Sequence, residues 1–196
     1  MHKAAVAGSE RNQGRGVVAP QSRPLLLSLA LVAGAAAAQS PPAAAPQGPA
    51  STCGTPAHRQ LDFWIGRWDV YPTGTDQLIA HSLIESLYAG CAIRENWMPL
   101  QGPGGGSLNM YRPAERQWRQ VWTDASNVVV DFRGGMEGEH MVLTGSRPAP
   151  GGGTMLVRID FSRNPDGSVR QVGTRSLDQG ATWLPRYDFT YRRAAG

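Results

Sequence analysis

Lysine is almost missing from this sequence. The one lysine is Lys3, so from residue 39 onward all 15 basic side chains are arginines, against 14 acidic ones. Without a lysine amine, that part of the chain cannot form a Schiff base with a substrate. With a net charge of +1, it also lacks the excess of basic residues that is typical of nucleic-acid-binding proteins.

Familiar enzyme motifs are also missing. The sequence contains no G-x-S-x-G, no H-E-x-x-H, no phosphate-binding loop and no C-x-x-C. His58, His81 and His140 are scattered without metal-ligand spacing, so we predict no metal site and expect His58 at the surface. The chain is more consistent with a binding protein than with an enzyme, and catalytic residues are not predicted.

The N-terminal region resembles a leader rather than a domain. Residues 1–23 are polar and basic, residues 25–32 read LLLSLALV, and AGAAAAQ follows. This order predicts a signal peptide over residues 1–38 and a periplasmic or secreted protein. The alternative is a transmembrane anchor, which the short apolar stretch disfavours. The Pro/Ala-rich residues 39–52 predict a disordered linker, so the folded domain spans 53–196.

Cysteine is scarce, with Cys53 and Cys91 as the two examples. In an exported protein a disulfide between them is the favoured reading, and two buried thiols are the alternative.

From residue 63 onward, apolar and polar residues alternate, and turn signals recur every 8–14 residues. This pattern predicts an all-β fold with ten antiparallel strands, preceded by a short helix that begins at Thr55-Pro56. A consecutive meander of this kind removes its edges by closing into an up-and-down barrel, with a two-sheet sandwich as the alternative. The predicted strands cover residues 63–71, 78–87, 91–98, 106–112, 116–123, 127–133, 139–146, 154–163, 168–176 and 182–193.

The G-x-W at Gly66–Trp68, together with the late Arg192 and Arg193, resembles the calycin superfamily, which includes the lipocalins. In those barrels the tryptophan packs across the closed end under a late arginine, so the resemblance implies a structural role for Trp68 and for Arg192 or Arg193. A narrower resemblance, to exported bacterial lipocalin-like domains of unknown function, rests on DFWIGRWDV, ESLYAGCAIRENW, GGSLNMYRPAERQWRQVWTD and GSVRQVGTRSLDQGATW. It implies a ten-stranded barrel but no activity. Related nitrobindins bind haem through a histidine, so haem is kept as a minor alternative to having no cofactor.

Alternation places a set of aromatic and polar side chains on one face of the middle strands. If that face lines the lumen, these residues form a small-molecule site in which Glu95 and Arg175 pair with each other or with the ligand. The alternatives are that they line the outside, or form a closed structural network. The candidate ligand-binding residues are Glu95, Trp97, Asn109, Tyr111, Gln120, Trp122, Gln171 and Arg175.

Three functions remain open on the sequence. The leading hypothesis is a carrier or sensor for a small apolar or amphipathic molecule. The second is an enzyme that uses Glu95 or Tyr111 as acid or base, and the third is a protein-interaction module.

Overall fold

The computed structural model describes residues 52–195, and within them the chain forms a closed antiparallel barrel. The predicted signal peptide and residues 39–51 of the predicted linker lie outside the described residues. Ten strands follow one another in chain order: β1 (Gly66–Pro72), β2 (Ala80–Leu87), β3 (Ala92–Pro99), β4 (Gly105–Arg112), β5 (Gln117–Asp124), β6 (Val129–Glu137), β7 (His140–Pro148), β8 (Thr154–Arg163), β9 (Val169–Ser176) and β10 (Leu184–Arg193).

Each strand pairs with its neighbours in sequence, and β1 pairs with β10 to close the barrel. In that seam Trp68 lies opposite Arg193, and Val70 lies opposite Tyr191. The predicted up-and-down barrel is therefore confirmed, and the two-sheet sandwich is excluded.

The predicted end of the sixth strand at residue 133 is wrong, because Gly134 and Gly135, which have the composition of a turn, lie inside β6, and that strand continues to Glu137. A Cβ atom on residue 134 would overlap the carbonyl oxygen of Val142 on β7. This glycine permits close approach of two strands rather than a change of direction.

Alternate side chains of each strand point into the barrel and form one apolar core. Its largest fully buried members are Trp64, Trp68, Tyr191 and Phe161. The outer face carries ion pairs between neighbouring strands, such as Arg119 with Asp131. Because these pairs are exposed, the interior supplies most of the stability.

Two short 3-10 helices, Pro56–Arg59 and Asp62–Trp64, stand where one helix was predicted. Leu61 and Trp64 are fully buried, and the Trp64 ring packs 4.8 Å from the ring of Phe161. This segment, residues 56–64, covers the barrel end at which β1 begins and is called the plug.

The expectation that His58 is exposed is wrong, since only 4% of it is accessible. Its Nδ1 lies 2.7 Å from Oγ1 of Thr55, and its ring meets the Tyr111 ring edge-on at 5.2 Å. The histidine is therefore part of the packing beneath the plug.

Arg193, rather than Arg192, supplies the cation over the tryptophan ring. Its guanidinium lies 3.9 Å from the centre of the Trp68 ring and donates a hydrogen bond to the Ile65 carbonyl. Trp68 in turn donates through Nε1 to the Trp64 carbonyl, at 2.7 Å. Arg192 instead lies over Tyr71 on the outer face of the seam.

The predicted disulfide between Cys53 and Cys91 is present. Cys91 follows a tight turn, Tyr88–Gly90, and directly precedes β3. The bridge therefore joins the segment before the plug to the β2–β3 connection. No helix among residues 52–195 has the length and apolar character needed to cross a membrane.

Candidate functional site

A cavity of about 200 Å³ opens at the barrel end opposite the plug. Because the strands alternate in direction, this end collects the last residues of β1, β3, β5, β7 and β9 and the first residues of β2, β4, β6, β8 and β10. The cavity has six aromatic walls, Trp97, Trp122, Phe132, Tyr187, Phe189 and Tyr191. Two aliphatic side chains, Val130 and Ile159, complete the apolar surface. The polar lining consists of Glu95, Gln120, Asp124, Arg147, Gln171 and Arg186.

Strand β10 supplies half of the aromatic wall. Tyr187, Phe189 and Tyr191 alternate along that strand and therefore share its inner face. The rings of Tyr187 and Phe189 are stacked at 4.8 Å, and the Phe189 ring is stacked on Trp97 at 5.9 Å. A continuous aromatic surface of this kind binds flat or apolar groups.

Gly173 on β9 explains why Tyr187 lies against the sheet. The two residues are register partners, and a Cβ atom on residue 173 would overlap the tyrosine ring. The missing side chain leaves the space that the ring fills.

A buried hydrogen-bonded chain crosses three strands behind the cavity. Ser107 donates to a carboxyl oxygen of Glu95, and Asn109 donates to the Ser107 hydroxyl, both at 2.9 Å. Gln120 donates through Nε2 to Oδ1 of Asn109 at 2.6 Å.

The Ile93 carbonyl fixes the orientation of this chain. Asn109 Nδ2 also donates to that carbonyl, at 3.1 Å, and a carbonyl can only accept. The Asn109 oxygen must therefore face Gln120, and Gln120 must present its NH₂ group to it. This leaves Oε1 of Gln120 buried without a hydrogen-bond partner among the described residues.

Glu95 is the titratable group at the base of the cavity, with 4% of the residue accessible. Burial raises its pKa to about 7, and the hydrogen bond from Ser107 opposes that rise only in part. Near neutral pH the side chain can thus hold or release a proton.

Two tyrosines face the same interior. Burial raises the pKa of Tyr187 and Tyr191 above the ordinary range, and the charge of Glu95 adds to the effect. Both therefore stay protonated at neutral pH. The Tyr191 hydroxyl donates to Oε1 of Gln171 at 2.8 Å, which leaves the NH₂ group of Gln171 as a donor.

Charged groups lie nearer the mouth. Arg147 comes from the end of β7, and Arg186 is placed by an irregularity in the β9–β10 register between Pro185 and Tyr187. Neither arginine forms an ion pair with a carboxylate among residues 52–195. Asp124 is held by the turn that follows β5, since its carboxylate accepts from the Ser126 backbone N–H.

The structure brings together five of the eight residues predicted to bind a ligand, because Glu95, Trp97, Gln120, Trp122 and Gln171 all line the cavity. Asn109 lies behind the cavity wall, where it holds Gln120.

Tyr111 and Arg175 occupy other positions. Tyr111 lies at the plugged end, in a separate groove beside Gln60 and Trp118. Arg175 is not part of the cavity lining, and Glu95 and Arg175 form no ion pair in the described part of the chain. The suggested Glu95–Arg175 contact is therefore absent.

The residues predicted to bind a ligand include none from β10, although Tyr187, Phe189 and Tyr191 alternate along that strand. The alternation itself was a usable signal. Arg186 gave no such signal, because the β-bulge that places it at the mouth depends on strand register.

Within residues 52–195, no group of three or more His, Cys, Asp or Glu side chains is arranged to hold a metal ion. His81 and His140 pair with Asp69 and Asp160 on the outer face. The chain matches no protein-family model and no curated protein.

Proposed function

We propose that this protein is an exported β-barrel that binds a small amphipathic molecule as a carrier or sensor. The observation that carries the proposal is the 200 Å³ cavity, in which a continuous aromatic wall meets a few buried polar groups. Small-molecule sites have this composition, because apolar walls supply affinity and a few polar groups fix orientation. The unpartnered Gln120 oxygen supports the same reading, since a buried acceptor without a donor is costly unless a bound molecule supplies one.

Export and family membership are part of the proposal. The Cys53–Cys91 bridge is typical of proteins that fold in an oxidising compartment. The closed ten-stranded barrel and the contact of Arg193 with Trp68 support a calycin-like, lipocalin-like assignment.

Native mass spectrometry of the protein purified from its own host tests both parts. We expect a chain that begins at Gln39 and carries one co-purifying small molecule. A chain that retains residues 1–38 would contradict export with cleavage.

A pair of variants locates the bound molecule. Val130 lines the cavity, whereas the adjacent Val129 is 59% exposed on the outer face. We expect Val130→Trp to fill the cavity and release the co-purifying molecule, and Val129→Trp to retain it. Retention by both variants would place the site elsewhere.

The second candidate function is an enzyme in which Glu95 transfers a proton. The specific observation in its favour is a buried carboxyl group with a pKa of about 7 beside a cavity. Tyr111, the other residue considered for this role, lies at the opposite barrel end and cannot reach the same molecule. Glu95-dependent turnover of the co-purifying molecule, absent in Glu95→Gln, would favour the enzyme over the carrier.

A further inference from the structure

Two hydrogen-bond acceptors belong to the cavity wall and are not saturated by the protein. Oε1 of Gln120 has no partner, because the amide orientation is fixed through Asn109 by the Ile93 carbonyl. At Glu95, the described hydrogen bonds engage Oε2 through Ser107 and leave Oε1 for another donor. Both side chains are more than nine-tenths buried, with 1% and 4% of their surfaces accessible.

From these acceptors we propose that the inner end of the cavity binds the protonated amine of a small aromatic or arylalkyl monoamine, with Glu95 and Gln120 as its acceptors. This inference rests on the proposed function of the cavity as a ligand site. An ammonium group has three donors and no acceptor, which suits two unsaturated oxygens. The positive charge of the ammonium group is balanced by the Glu95 carboxylate, for which the described residues offer no ion-pair partner.

The aromatic wall favours the same ligand. Trp97, Tyr187 and Tyr191 line the cavity with Glu95, and aromatic faces attract cations most strongly where water is excluded. The stacked Tyr187 and Phe189 rings offer a flat surface for the aromatic part of the molecule.

The charged residues at the mouth of the cavity limit the class of ligand further. Arg147 and Arg186 outnumber the single carboxylate of Asp124 at the mouth, so its net positive charge would repel a second cationic group on the ligand. A neutral or acidic outer end is tolerated, and polyamines are disfavoured.

Binding should depend on pH through one group. Glu95 contacts Ser107 from β4 and shares the cavity with Tyr187 and Tyr191 from β10 and, at the mouth, with Asp124, Arg147 and Arg186. The tyrosines stay protonated, and a guanidinium is not deprotonated in proteins. Desolvation raises the pKa of Asp124, but hydrogen bonds from Ser126 and Val128 outweigh it and keep that pKa low. Between pH 5.5 and 8 only Glu95 changes charge among these groups.

The test is calorimetric titration of the purified full chain with three matched probes: 2-phenylethylamine, 2-phenylethanol and 3-phenylpropanoate. At pH 8 we expect the amine to bind at least about tenfold more tightly than the alcohol, as one desolvated charged hydrogen bond implies. At pH 5.5 amine binding should weaken to about the affinity of the alcohol, because most of the Glu95 side chains are then protonated, whereas alcohol binding should not change.

Glu95→Gln should reduce amine affinity to about that of the alcohol and abolish the pH dependence. The control is Glu85→Gln, which removes an exposed carboxylate that pairs with Arg94 on the outer face and should leave all three titrations unchanged. If Glu95→Gln does not fold, the pH dependence of the unaltered protein decides the question alone.

The outcomes separate the two proposals. Binding of the alcohol or the acid as tightly as the amine would overturn the amine site and leave the cavity function standing. A titration in which none of the three probes binds would overturn the amine site, whereas a molecule that co-purifies and is released by Val130→Trp would still support the cavity function.

Discussion

The guanidinium of Arg193 occupies the space that a Cβ atom on Gly66 would need. The glycine also has a φ of +148°, which L side chains rarely adopt. Residue 66 is therefore glycine for two reasons, one in its own backbone and one across the β1–β10 seam. In the G-x-W motif, the absence of a side chain at Gly66 leaves the space through which Arg193 reaches the Trp68 ring.

We predict that Gly66→Ala destabilises the protein by about 3 kcal/mol, from backbone strain plus displacement of the Arg193 contact. Urea denaturation followed by tryptophan fluorescence measures this loss. The matched control is Gly135→Ala in β6, where a Cβ atom would meet nothing within 4 Å. A double-mutant cycle with Arg193→Ala should give less than the sum of the single losses, and strict additivity would contradict the proposed coupling.

The disulfide closes a loop over a sequence separation of 38 residues at the plugged end. In the chain-entropy model its loss costs about 4 kcal/mol, so the Cys53→Ser/Cys91→Ser double variant should unfold at a markedly lower denaturant concentration. Reducing agent should lower the denaturation midpoint of the unaltered protein by a similar amount and leave the midpoint of the double variant unchanged. An unaltered midpoint in the double variant would show that plug packing alone fixes this segment.

The period-two pattern was sufficient to predict all ten strands, because each strand buries one face and exposes the other. It also predicted that Glu95 shares a face with Trp97 and Gln120 shares one with Trp122, because this needs only parity along one strand, but it left open which face lines the lumen. It could not predict which barrel end holds the cavity. That outcome depends on Leu61 and Trp64, which fill the plugged end, and on local bulges such as the one at Arg186.

Glycines show the same limit. Gly134-Gly135 has the composition of a turn, yet it lies within β6 because Gly134 faces the backbone of β7. Sequence composition does not distinguish a glycine that allows the chain to turn from a glycine that allows two strands to approach closely. His58 was misplaced for a related reason, since its burial depends on the Tyr111 ring from a distant strand.

The raised pKa of Glu95 makes the stability of the empty barrel depend on pH. Below the ordinary value of 4.5 the carboxyl is protonated in both folded and unfolded chains, so it contributes no penalty. Between pH 4.5 and about 7 the unfolded chain releases a proton that the folded barrel retains, so stability falls as pH rises. Above pH 7 the full cost of the buried charge is present, on the order of 3 kcal/mol.

Glu95→Gln removes this titration and retains a side-chain oxygen that can accept from Ser107. We therefore predict that the variant is more stable than the unaltered protein at pH 8, and that the two have similar stability at pH 4. Urea denaturation at a series of pH values measures the difference, with Glu85→Gln as the exposed-carboxylate control. A difference that does not grow between pH 5 and 7 would show that Glu95 ionises as readily in the barrel as in the unfolded chain. Burial of the Glu95 carboxylate would then carry no free-energy cost that a bound cation could reduce.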